Sequence, residues 1–288
     1  MTRVNAKYKD RLFQKLFGEN KANLLSLYNA LNGTDYTNED DLEIYTVEDV
    51  IYMKMKNDVS CMVDSYLSLY EHQSTFNPNM PFRGLMYFAK MYDKYRSQYK
   101  INVYSSKLQK LPTPQYYVFY NGDKDTSDKT LLKLSDAFTQ PVKEGTYEWT
   151  AVMLNINHGH NDELLEKCRT LGEYAILVAK VKEARAEGKT NEEAINAAVD
   201  WCIENMIMKE YLTAHRAEVL DMMLTEYNEE ETMNMFRAEG RAEGRAEGRA
   251  EGRIIAFAEM VRKGILSVAQ AAEMAGLSEA AFKKMAVL

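Results

Sequence analysis

Residues 59–73 constrain this chain more than any other stretch, because they can do little except form a β-hairpin. Val59, Cys61 and Val63 alternate with Ser60 and Met62, Asp64-Ser65 supplies a turn, and Tyr66-Leu67-Ser68-Leu69-Tyr70 runs straight into Glu71-His72-Gln73. The period of two sends Glu71 and Gln73 to one face and His72 to the other. Pairing about Asp64-Ser65 brings Asp58, at the start of the first strand, beside Glu71, near the end of the second.

The flanking segments extend this unit into a mixed fold. A strand is expected at Val50-Ile51-Tyr52-Met53-Lys54-Met55-Lys56, another at Tyr116-Tyr117-Val118-Phe119-Tyr120, stopped by Asn121-Gly122-Asp123, and one more at Val152-Met153-Leu154-Asn155-Ile156. Helical spacing covers residues 7–31, which Asn32-Gly33-Thr34-Asp35 ends, and again residues 82–96, with Asn79 or Met80 as cap and Pro81 in the first turn. From about 162 to 234 the pattern is helical throughout, with breaks near Gly172, Gly188-Lys189-Thr190-Asn191 and Glu204-Asn205. The expected fold is α/β (α+β mixed): a core over residues 1–160 and a C-terminal all-helical extension over 161–236 packed on it.

At 288 residues the chain can bury a sizeable core, and 46% hydrophobic with 27% charged residues is a globular composition. No apolar run is long enough to cross a bilayer and the first residues lack the apolar stretch of a signal peptide, so no membrane partner is expected. Cys61, Cys168 and Cys202 are odd in number and far apart, implying neither a disulfide framework nor a zinc site; a cytoplasmic setting fits best. The net charge of −7 argues against a protein that coats nucleic acid over its whole surface, but leaves room for a local basic groove.

Asp58 and Glu71 are the residues that suggest chemistry. Hydrolysis of a phosphodiester calls for a divalent metal to activate water and offset charge growing on the phosphate. Hard oxygen ligands suit Mg²⁺ (or Mn²⁺), and two carboxylates on adjacent strands supply them while leaving room for water and phosphate. The competing expectation is a pair of ordinary strand-end carboxylates, solvated or paired with Lys54 or Lys56.

Asn57-Asp58-Val59-Ser60, then Tyr70-Glu71-His72-Gln73-Ser74-Thr75 and Asn77-Pro78-Asn79-Met80-Pro81-Phe82-Arg83, resemble the signature of the Rpn (recombination-promoting nuclease, transposase-like) branch of the PD-(D/E)XK nuclease superfamily. Tyr120-Asn121-Gly122 and Asn157-His158-Gly159-His160-Asn161 also resemble segments of its relatives, and the likeness covers most of residues 7–230. The resemblance implies a PD-(D/E)XK restriction-endonuclease-like core and a Mg²⁺-dependent DNA endonuclease of low sequence specificity, linked to recombination or mobile elements. It makes Asp58 and Glu71 the metal ligands, and puts Gln73, as a third catalytic residue, where the motif has lysine. Glutamine can orient water but carries no charge. Lys54 or Lys56 is then the expected cation, and Asp10, with Glu19 behind it, the expected acid from the first helix. The alternative is a nuclease fold without catalysis that binds DNA or protein.

Arg83, Lys90 and Lys94 form one stripe on the helix after the site, with Tyr87 along it, suited either to a DNA backbone or to plain solvation. His72 is expected to pack on the reverse face. His158 and His160 suit a loop or helix cap better than zinc. Residues 237–253 repeat Arg-Ala-Glu-Gly four times and close on Arg253. In a helix each residue type drifts by about 40° per repeat. A solvated linker helix is favoured over a self-association stripe, since Glu matches every Arg but the last. Residues 254–288 read as a small helical tail with helix-turn-helix-like spacing, whose only basic groups in the second helix are Lys283 and Lys284. The expected partners are DNA and a second copy of the chain, held through the C-terminal helices.

Overall fold

The computed structural model describes residues 11–45, 59–140, 143 and 147–286. Among them lies a six-stranded mixed sheet of order β1-β2-β3-β4-β6-β5. Its strands are β1 (Leu42–Ile44), β2 (Val59–Val63), β3 (Tyr66–Gln73), β4 (Thr113–Tyr120), β5 (Lys129–Lys133) and β6 (Thr150–Asn155). The hairpin has the expected register: Val63 pairs with Tyr66 across Asp64-Ser65, and Val59 with Tyr70. Asp64 takes the left-handed backbone (φ 51°) that a two-residue hairpin turn needs.

From β3 the chain crosses through helix α3 (Met80–Gln98) to β4, which pairs parallel to β3, and β6 then pairs parallel to β4. Pro114 lies in the part of β4 that β6 does not reach, since their pairing begins at Tyr117. The edge strands β1 and β5 escape sequence reading because β1 has only three residues and the adjacent Leu131-Leu132 breaks the alternation in β5. The expected strand at residues 50–56 lies outside the described residues.

Each face of the sheet buries a different apolar set. On one, Leu67, Leu69, Tyr116, Val118 and Met153 meet Tyr87, Phe88 and Met91 of α3. On the other, Val59, Cys61, Tyr70 and Phe119 meet the N-terminal helices and the later ones. Phe13, Phe17, Tyr70 and Phe119 are all fully buried there, each worth roughly 1.5–3 kcal/mol of burial.

The N-terminal helix expected over 7–31 is instead broken. Helix α1 (Arg11–Phe13) runs into a π-helical turn, Gln14–Gly18, before α2 (Lys21–Asn32) begins. Asn20 causes the break: its side chain caps α2 by accepting from Asn23 N at 3.0 Å, which competes with continuing the helix. Gly33, at φ 66°, ends α2 as expected.

The later helices are α4 (Asp162–Lys167), α5 (Arg169–Ala186), α6 (Asn191–Glu204), α7 (Lys209–Ala214) and α8 (Arg216–Arg262). Thr190 and Glu193 form a capping box at the start of α6. The break expected near Gly172 falls at Cys168, and Gly172 itself sits inside α5. A Cβ there would come within 2.6 Å of Leu165 O, so glycine is what lets α4 and α5 approach.

The chain divides into two compact units, residues 1–228 and 229–288. In the second, α9 (Val268–Ala275) and α10 (Glu279–Ala286) bury Ala271, Ala272 and Phe282 with Ile254 and Ala258 of α8. Gly276 (φ 70°) forms the turn between them. In the Arg-Ala-Glu-Gly repeat a Cβ on any of Gly240, Gly244, Gly248 or Gly252 would meet nothing within 4 Å.

Candidate active site

Glu71 is fully buried on the α3 face of β3. A carboxylate there loses several kcal/mol of hydration and survives only with a cation and hydrogen bonds around it. Arg83, in the first turns of α3, provides the cation: its Nη2 lies 3.2 Å from Glu71 Oε2. Tyr116 provides a hydrogen bond, its Oη donating to the same oxygen at 3.2 Å. The β3–β4 register puts Tyr116 there, because Glu71 pairs with Val118 and Tyr116 shares Val118's face.

Gln73, two residues beyond Glu71 on the same face, completes the cluster. Arg83 Nη1 donates to Gln73 Oε1 at 3.4 Å, and Gln73 Nε2 donates to the His72 carbonyl at 2.6 Å. One guanidinium therefore spans the acid and the amide. Burial works against the charge on Arg83, but the Glu71 carboxylate together with Tyr87 and Tyr116 offsets it and holds the guanidinium pKa above its ordinary value. Burial, reinforced by the charge of Glu71, raises the Tyr116 hydroxyl well above its usual range, so it remains a neutral donor.

Glycine lets helix and strand come this close. A Cβ on Gly84 would stand 2.3 Å from Tyr116 Cε1, so any larger residue displaces the ring that donates to Glu71.

The other expected site residues are placed as follows. Asp58 lies outside the described residues, as do Asp10, Lys54 and Lys56; the hairpin register is described as far as Val59 opposite Tyr70. Glu19 belongs to the helical layer on the sheet face away from Glu71, where it pairs with Lys15 at 2.8 Å. The basic stripe divides: Arg83 turns in to Glu71, Tyr87 is buried, Lys90 is half-buried, and Lys94 is exposed with its Nζ 4.4 Å from the Tyr45 ring centroid.

His72 packs on the reverse face, as its parity requires. It stacks on Phe13 and meets the Tyr174 hydroxyl at 3.2 Å through Nε2. His160 bonds Asp128 at 2.6 Å in the turn before α4. Asn157 Nδ2 donates to Gly122 O at 3.0 Å, and Lys182 donates to the Asn121 carbonyl and Asn157 Oδ1. Asn121-Gly122 and residues 157–161 thus tie together the strand ends beyond β4 and β6. Gly122 is obligatory there, since a Cβ would fall 2.1 Å from Ser74 O.

Among the described residues, no group of three His, Cys, Asp or Glu is placed to hold a metal. Glu71 and the Gln73 amide are hard oxygen donors, which suit Mg²⁺ or Mn²⁺ in kind. Sequence reading missed Tyr116 and the turn of Arg83 onto Glu71. The signal for the first was the shared parity of residues 116 and 118 in a strand parallel to β3; for the second, the four-residue step from Arg83 to Tyr87 toward the apolar face. Compared with protein-family models, with curated proteins and with solved structures, the chain matches none.

Proposed function

We propose that the first unit is a divergent PD-(D/E)XK-type nuclease, a metal-dependent DNA endonuclease of low sequence specificity associated with recombination or mobile elements. The observation that carries this reading is the clustering of Glu71, Gln73 and Arg83 where a hairpin of the expected register meets the start of the next helix. On this reading Asp58 and Glu71 would hold Mg²⁺ or Mn²⁺, which supplies activation of water and compensation of phosphate charge. Gln73 orients the attacking water through its amide, and Arg83 keeps that amide and Glu71 in place. Lys90 and Lys94, further along α3, are the groups offered to a DNA backbone.

One observation favours a second reading. Glu71 is fully buried and already neutralised by Arg83, as in a nuclease fold that binds DNA or protein without cutting it. Incubating the purified protein with supercoiled plasmid and Mg²⁺ or Mn²⁺, with EDTA as control, separates the two. Metal-dependent nicking supports the endonuclease. Absence of nicking together with salt-sensitive duplex binding supports the binding module.

A further inference from the structure

We infer that Arg83 is the displaced cation of this site, supplying from helix α3 the positive charge that the motif's lysine supplies from the strand. This assignment rests on the nuclease reading.

Gln73 holds the lysine position but is neutral, so the site needs a cation from elsewhere. The Arg83 side chain meets both neighbours of the missing charge, Glu71 at 3.2 Å and Gln73 at 3.4 Å. A lysine at position 73 would lie on the same face of β3 as Glu71, where Arg83 now bridges the two side chains. The charge has moved ten residues along the chain while remaining at the same place in the fold.

Stability alone does not account for such a group. A buried ion pair is often no more stabilising than apolar residues of similar volume, and this one interrupts an otherwise apolar face of Leu67, Leu69, Val118 and Met153. Arginine also differs from lysine in what it can do there: a planar fork holds two acceptors in fixed relation, whereas an ammonium acts as a point charge. Arg83 is a positioning residue, acting through Glu71 and Gln73.

Relocating the charge tests this. Metal-dependent plasmid nicking and thermal melts are measured for the parent, Arg83→Gln, Gln73→Lys and the double variant Gln73→Lys/Arg83→Gln. Arg83→Gln is expected to lower kcat by roughly a hundredfold with KM for DNA little changed, as for loss of a preorganised electrostatic group. The double variant, with the cation back on the strand, is expected to recover to within about tenfold of the parent. A purely structural arginine predicts that cutting follows melting temperature across all four proteins. A parent that cuts, with Arg83→Gln cutting within about threefold of it, overturns the assignment and leaves the nuclease reading standing. A parent that does not cut overturns both. Should Arg83→Gln fail to fold, the double variant decides: cutting upholds the assignment, and silence overturns it.

Discussion

Glu71 carries two demands at once, and they set opposite expectations for its removal. Considered as one of two clustered acids, it repels its neighbour, and losing it would relieve the fold. The structure gives it a cation partner, so Glu71→Ala instead leaves the Arg83 guanidinium largely buried and uncompensated. We expect a loss of about 3 kcal/mol, the low end of the range of about 3–5 for breaking a buried pair, because Arg83 keeps 20% of its side chain in water. Glu71→Gln, which retains an acceptor for Tyr116, should lose clearly less in the same chemical denaturation. Equal losses would mean that the uncompensated Arg83 charge alone sets the cost and that the acceptor kept for Tyr116 contributes nothing. Cys61, fully buried on the opposite face, sets a pH dependence. Burial pushes its thiol from 9.0 to about 12. Above about pH 9 the unfolded chain gives up that proton while the folded chain keeps it, so stability falls as pH rises toward about 12. Denaturation midpoints across this range should decline in the parent and decline less in Cys61→Ala; identical slopes would remove Cys61 as a cause.

Among the elements, the hairpin was the most legible. Strict alternation around Asp64-Ser65 left one register that keeps Val59, Cys61 and Val63 on a single buried face. The break at Asn20 was not legible, because the apolar spacing continues across it and only the cap competes. Of the edge strands, β1 has too few residues for a period to show and Leu131-Leu132 breaks the period in β5. The identity of Glu71's partners was hidden for another reason: Arg83 and Tyr116 are twelve and 45 residues away in sequence, and only the register of two strands and the start of a helix unite them. Gly84 makes that union possible. By propensity alone, Gly84→Ala should stabilise α3 by roughly 1 kcal/mol. The Tyr116 ring 2.3 Å from the new Cβ reverses the sign, and overpacking of this kind costs about 1–3 kcal/mol. We expect a lower melting temperature with unchanged helicity by circular dichroism. A raised melting temperature would show that Tyr116 gives way freely.

At the scale of the whole molecule, the sheet and its two helical coverings form one unit and residues 229–288 another. Val219 and Met223 of α8 lie in the first core, whereas Ile254 and Ala258 lie in the last. A fragment of residues 1–228 should therefore unfold in one cooperative transition, and its mass by light scattering reports whether the tail drives self-association. A broad, non-cooperative transition would make the tail part of the first fold. The central claim, a metal-dependent nuclease in the first unit, is tested most directly by Mg²⁺-dependent plasmid nicking with the parent, Asp58→Asn and Glu71→Gln at matched folded concentration. The predicted result is a parent that nicks and two variants that each lose roughly a hundredfold or more while still melting cooperatively. Variants that cut as fast as the parent would contradict it.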